Sequence, residues 1–175
     1  MLPKTMSSQA LSLNPLLPPT QILSHLHSGQ LLRIDAQPGN GVIICHRHHA
    51  DILGPGAAVG GLLDLDCRRI VTLGQVSLVY PDSLAEKRQA FQTRQKWIAS
   101  TGKIAKHPSA LQRATILLRM LERYCGTEAT TQLPANVLSH IVGVLPSTME
   151  TALALMKQHR SPTPQTQDSM TVAAS

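Results

Sequence analysis

Five consecutive residues in the first half of the chain have side chains that bind metals or carry charge. They are Cys45, His46, Arg47, His48 and His49, and thiolate and imidazole are the ligands that zinc and other late transition metals prefer. On a strand, His46 and His48 would point to one side, and Cys45 and His49 to the other. Because the spacing matches no known metal-binding motif, the alternative is a strand that ends in a polar loop with surface histidines. We therefore predict no metal site.

No other pattern indicates an enzyme. The sequence has no G-x-S-x-G, P-loop or H-E-x-x-H motif, and its few acidic residues are scattered. Cys125 lies beside Gly126 at an expected helix end, where the helix dipole disfavours a thiolate, so it is expected to be a core residue. We predict a protein that is not an enzyme and uses no cofactor.

The charge of the chain favours a polyanionic partner. Lys and Arg total 16 against 10 acidic residues, for a formal net charge of +6, and each neutralised phosphate releases counterions that favour binding. The excess of basic over acidic residues is concentrated between Ser83 and Arg160. Single-strand binding by base stacking is not expected, because the aromatic residues are only Tyr80, Phe91, Trp97 and Tyr124.

The expected location is the cytoplasm. The three cysteines match no disulfide scaffold, the N-terminal residues lack the pattern of a signal peptide, and no stretch approaches the roughly 20 apolar residues of a membrane span. We predict no contact with a membrane.

Short apolar runs alternate with turn residues between Gln30 and Tyr80. The runs LLRI, GVIIC, DIL, RRIVTL and VSLVY are separated by Pro- and Gly-containing segments, which is typical of strands and turns. A small antiparallel β unit is predicted. A short helix from Thr20 to His27 should precede this unit. Thr20, which follows Pro19, could cap this helix.

Helical periodicity replaces the strand pattern after Pro81. Asp82 or Ser83 is expected to cap a helix that runs to about Ser100, with an interruption at Gly102. Three more helices are predicted, one from Ser109 to Tyr124, one opened by Pro134, and one from Pro146 to about His159. The predicted fold class is α+β.

The last two helices have the spacing of a helix-turn-helix. Residues 136–142 are joined to the helix that starts at Pro146 by Gly143-Val144-Leu145, and Gly143 supplies the positive φ of the turn. Ser139 leaves room where the helices cross. Side chains expected to be buried are Leu138, Val142, Val144 and Met149. An antiparallel helical hairpin with the same core is the alternative.

The order and spacing of these segments resemble Crp/Fnr-type bacterial transcription regulators. RATILLRMLERYCG followed by LPANVLSHIVGVLPSTMETAL looks like the helix and helix-turn-helix of that family, and ILGPGAAVGGLLDLDCRRIVTL is similar to the phosphate-binding stretch of its β-roll sensor. The family's ribose-binding glutamate is replaced by Gly61, although Arg68 or Arg69 could meet a phosphate. The resemblance therefore implies a β-roll remnant without bound cyclic nucleotide.

The resemblance also implies which residues would contact DNA. The family reads bases with Arg and Glu early in the recognition helix, but this chain has Pro146, Ser147 and Thr151 there. Ser147, Thr148 and Thr151 would make weaker contacts to bases or phosphates, and Lys157 and Arg160 would hold the backbone. After Arg160 the sequence reads SPTPQTQDSM before a short apolar end, so the family's β-hairpin wing is not expected there.

Two functions follow from the resemblance. The first is a DNA-binding transcription regulator acting on double-stranded DNA. The second is a degenerate Crp-like protein that binds another regulator or RNA polymerase. A homodimer is expected, because the family dimerises along a helix in this position, where Leu84, Phe91, Trp97 and Ile98 could form the seam. Packing of this stripe against the protein's own β unit is the alternative.

The chain is thus divided into five predicted regions. They are a disordered tail at 1–19, a small β-rich sensor-like domain at 20–81, a connecting and dimerisation helix at 82–107, a helix-turn-helix domain at 108–160, and a disordered tail at 161–175.

Overall fold

The computed structural model describes residues 19–159. The described residues exclude both predicted tails, apart from Pro19. They also exclude Arg160 and the region after it, where no wing is expected. The β-rich part consists of α1 (Pro19–His27), β1 (Leu31–Ala36), β2 (Gly41–Cys45), β3 (Ala50–Leu53), β4 (Ala58–Gly60), a 3₁₀ turn (Gly61–Leu63), β5 (Arg69–Leu73) and β6 (Val76–Val79). The helical part consists of α2 (Leu84–Ala105), α3 (Ala110–Cys125), α4 (Thr127–Gln132), α5 (Ala135–Val142) and α6 (Pro146–Gln158).

The strands form two antiparallel sheets of three strands each, so the chain has the predicted α+β fold. β1 lies between β4 and β6, and β2 lies between β3 and β5. The β2–β3 hairpin closes where Cys45 pairs with Ala50. The turn between them is completed by the His46 amide, which donates to the His49 carbonyl at 2.9 Å.

The central strand β2 is buried on both faces. Val42 and Ile44 pack toward the second sheet and α1, whereas Ile43 and Cys45 pack toward the helices. Successive side chains on a strand point to opposite sides, so the β3–β2–β5 sheet forms a layer between the other sheet and the helical part. This position explains why the run GVIIC is apolar throughout instead of alternating.

Helix α2 connects the two apolar cores. Ser83 caps this helix by accepting a hydrogen bond from the Glu86 amide at 3.1 Å. Ser83 is one of the two residues predicted as alternative caps. Trp97 packs against both cores and meets Tyr124 edge-on, with ring centroids 5.0 Å apart. A β-carbon at Gly54 would collide with both rings, so the glycine permits this junction.

Four details of the predicted secondary structure were wrong. Thr20 does not cap α1, because this helix already begins at Pro19. Helix α2 runs through Gly102 to Ala105, because one glycine costs a helix interior only about 1 kcal/mol and the rest of the segment outweighs that cost. Strand β4 was missed, because Ala58–Gly60 is short and has only one β-branched residue. The short helix α4 (Thr127–Gln132) was also missed, since its threonines are weak helix formers.

Among the described residues, no single helix is long and apolar enough to cross a membrane. Only α5 and α6 taken together reach that length and composition, and they are bent by 109° at the break between them.

Candidate functional site

Helices α5 and α6 meet at 109° across a three-residue turn. Gly143 ends α5 in the left-handed conformation, with φ 60° and ψ 53°, as predicted. The amides of Gly143 and Val144 both donate to the Ser139 carbonyl, the second at 3.1 Å. This arrangement satisfies backbone groups that the end of α5 would otherwise leave without partners, and it has the crossing angle of a helix-turn-helix.

The inner side of this unit is packed as the sequence predicts. Ser139 is fully buried, and its hydroxyl donates to the Asn136 carbonyl at 2.8 Å. Val144 is half-buried at the edge. The buried apolar side chains join those of α3 in one core, which includes Leu117, Leu118, Leu121, Leu138, Val142, Met149 and Ala152. Helix α3 therefore supports both helices of the unit.

Arg113 ties the start of α3 to the turn. Its guanidinium donates to the His107 carbonyl at 2.8 Å and to the Gly143 carbonyl at 3.2 Å. Ser109 caps α3 by accepting from the Gln112 amide at 3.4 Å. These contacts hold a cationic group beside the turn.

The outer side of α6 carries the predicted DNA-contact residues. Ser147 and Thr151 are exposed one turn apart, and Thr148 beside them is half-buried. The Thr151 hydroxyl donates to the Ser147 carbonyl at 2.9 Å, so it is left with acceptor capacity toward a ligand. Lys157 is exposed in the last turn, about 15 Å further along the helix axis than Ser147.

A buried ionic cluster lies in the β-rich part, and sequence reasoning missed it. Arg94 of α2 is buried and donates to both carboxylate oxygens of Asp64, at 2.8 and 2.9 Å. It also donates to Asp51 at 3.0 Å and to the Ala58 carbonyl at 3.2 Å. The Gly60 amide donates to Asp64 at 2.6 Å. No signal in the sequence distinguishes Arg94 from the exposed cations around it on α2.

His46 and His49 complete this cluster from the hairpin turn. Their rings are stacked, with centroids 4.5 Å apart and planes within 14°. The predicted alternation, with His46 beside His48, was wrong because β2 ends at Cys45 and residues 46–49 form a turn. His48 is exposed, and Cys45 packs into the helical core.

Ionised neighbours shift the pKa values in the cluster. The Asp51 carboxylate facing His46 raises the pKa of the imidazole against the opposing effect of burial, with a further contribution from Asp66. Burial alone would raise the pKa of Asp51, but His46 and Arg94 outweigh it and lower that pKa. The hydrogen bond from His46 likewise lowers the pKa of the exposed Asp66.

The other residues suggested by the resemblance lie apart. Arg68 and Arg69 are exposed at the start of β5, and Gly61 is buried. On α2, Leu84 and Phe91 remain exposed and Ile98 is half-buried, but Trp97 packs into the protein's own core. Trp97 is therefore not part of an outward apolar face.

No protein-family model matches this chain, and no curated protein or solved structure matches it significantly.

Proposed function

We propose that this protein is a DNA-binding transcription regulator of the Crp/Fnr type that works without a cyclic nucleotide. The observation that carries the proposal is the 109° crossing of α5 and α6, with Ser147 and Thr151 exposed on the outer side of the first two turns of α6. A recognition helix enters the major groove with its N-terminal residues, while the preceding helix crosses the backbone. In this proposal α6 is the helix that would lie in the groove. The protein would act in the cytoplasm.

Charge supports an interaction with the phosphate backbone. The net charge is +6, and phosphate contacts supply most of the affinity of DNA-binding proteins without reading sequence. Lys157 lies at the end of α6, and Arg113 is held at the turn. Glu150 is the only acidic residue of α6, so the helix presents little negative charge to phosphates.

Base reading would rest on hydroxyl groups. A bidentate arginine–guanine contact discriminates against a wrong base by about 1–3 kcal/mol, and no arginine lies on α6. Ser147 and Thr151 offer single contacts to bases or phosphates. We therefore expect modest sequence preference on top of a salt-dependent affinity.

An exposed leucine favours a second candidate function. Leu145, directly before α6, is 70% exposed, and large apolar side chains beside a recognition helix suit a protein partner better than a phosphate backbone. In this alternative the same surface binds another transcription regulator or RNA polymerase.

A salt-titrated gel shift on double-stranded DNA fragments tests the first function against the second. We expect the log of the affinity to fall linearly with log salt concentration. Lys157→Gln should reduce that slope by about one. The double variant Ser147→Ala, Thr151→Ala should reduce preference among fragments.

Ser100→Ala is the matched control for the double variant. Ser100 is an exposed hydroxyl on α2 that donates to the Lys96 carbonyl at 3.0 Å, the same intrahelical geometry as Thr151, and its loss should leave the gel shift unchanged. Binding that is absent, or that does not depend on salt, would reject the DNA function and leave the protein-partner function.

A further inference from the structure

The β2–β3 turn arranges three possible metal-ligand side chains around one point. Each of His46, His49 and Asp51 offers a nitrogen or oxygen atom, and these atoms all lie within 4.8 Å of one another. His46 Nε2 is 3.7 Å from one Asp51 oxygen, and His49 Nε2 is 3.9 Å from the other. Ligands around a tetrahedral zinc ion are about 3.3 Å apart, given bonds of about 2.0 Å, so closing the site requires small movements.

His46 is prepared to be a ligand. Its side chain is only 2% exposed, and Nε2 has no hydrogen-bond partner among the described residues. On the opposite side of the ring, Nδ1 is 2.6 Å from Asp66 Oδ1. A carboxylate that accepts from Nδ1 selects the tautomer whose Nε2 lone pair is free, and it is the usual outer partner of a metal-binding histidine.

The cluster holds more carboxylates than cationic side chains. Asp51 and Asp64 pair with Arg94, and Asp66 pairs with the His46 ring. At least one carboxylate charge is therefore not balanced by the side chains of the cluster, whether or not His46 is protonated. Buried charges are stabilised by pairing or by metal coordination, and a divalent cation would supply positive charge beside Asp51.

We propose that the β2–β3 turn binds one divalent late transition-metal ion, best fitted by zinc, through His46 Nε2, His49 and the Asp51 carboxylate. Two imidazoles and one carboxylate are a typical zinc ligand set, which leaves a fourth position for water. His49 is exposed and lies in the turn, so it can make the closing movement. Arg94 would continue to hold Asp64 while the ion takes over the pairing of Asp51.

Calorimetric titration of zinc sulfate into untagged, chelator-dialysed full-length protein, with elemental analysis after desalting, tests this site. We expect one zinc per chain and a thermal midpoint that rises with zinc concentration. His49→Ala should weaken binding at least a hundredfold. Asp66→Asn, which alters only the exposed outer partner, should weaken it by ten- to a hundredfold.

His48→Ala is the matched control, because His48 is an exposed neighbour in the same turn and is not one of the three proposed ligands. Its affinity for zinc should equal that of the wild type. The proposal is overturned if the wild type binds no zinc, or if His48→Ala and His49→Ala have the same effect. Undiminished binding by His49→Ala and Asp66→Asn would likewise overturn it, since the ion would then lie on other surface histidines.

Discussion

Arg94 joins α2 to the β-rich part. Its guanidinium is buried between Asp64 and Asp51, which come from the β-rich part, although it belongs to a helix whose other cations are exposed. A buried charge that loses its partner costs far more than an exposed ion pair contributes.

Replacing Arg94 should therefore be severely destabilising. We expect Arg94→Met to lower the free energy of unfolding by about 3–5 kcal/mol, because Asp64 would remain buried without its guanidinium partner. Lys96→Met, on an exposed position of the same helix, should change it by less than about 0.5 kcal/mol. Urea titrations measure both values, and comparable losses in the two variants would contradict a buried ionic role for Arg94.

The cysteines should differ in reactivity. Burial raises the pKa of Cys67 to about 11, so only about one molecule in a thousand carries its thiolate at pH 8. Cys125 is half-buried at the end of α3 and should react first with a disulfide reagent at pH 8. Cys125→Ser should remove the fast phase of the reaction with this reagent, whereas Cys67→Ser should retain that phase. A fast phase lost in Cys67→Ser instead would contradict this order.

At the scale of elements, the turn between α5 and α6 depends on backbone conformation. Gly143 has φ 60°, and a β-carbon there would meet no atom within 4 Å. The requirement for glycine is thus conformational and does not come from packing. Gly102 in α2 has equally open space but lies within a right-handed helix.

These two glycines provide a matched pair of substitutions. Gly143→Ala should lower the free energy of unfolding by about 1 kcal/mol, because an alanine in the left-handed region is strained. Gly102→Ala should raise it by about 0.5–1 kcal/mol, since alanine favours a helix interior. Thermal or urea unfolding measures the change in the free energy of unfolding for each variant. Changes of the same sign in the two variants would show that the φ angle of the glycine does not decide the effect.

At the scale of the whole molecule, we predict that a second copy of the chain packs along α2. Leu84 is 73% exposed and Phe91 is 38% exposed, seven residues apart and so on one side of the helix. In the proposed regulator, a two-fold dimer would allow two α6 helices to contact successive major grooves.

Sedimentation equilibrium at micromolar concentration tests this dimer. We expect the wild type to sediment as a dimer and the double variant Leu84→Glu, Phe91→Glu as a monomer, because paired carboxylates would face each other across the seam. Leu62→Glu is the matched control, since Leu62 is even more exposed but lies on the 3₁₀ turn of the β-rich part. A monomeric wild type, or dissociation by Leu62→Glu, would contradict the α2 interface.

The sequence by itself determined the helical half to within a few residues. The cap at Ser83, the left-handed Gly143 and the helix start at Pro146 are properties of neighbouring residues, so local rules predict them. The α+β class and most strands also followed from apolar runs closed by turn residues. The exceptions were the weakest local signals, β4 and α4, and the continuation of α2 through Gly102.

Only the tertiary structure decided which charged groups meet. Arg94 is separated from Asp64 by 30 residues and from Asp51 by 43, and its own helix surrounds it with exposed cations. The pairing of His46 with His49 likewise depended on β2 ending at Cys45, because a turn replaces the alternation of a strand. Burial and long-range pairing result from the packing of the sheets and α2 together, and no local pattern encodes them.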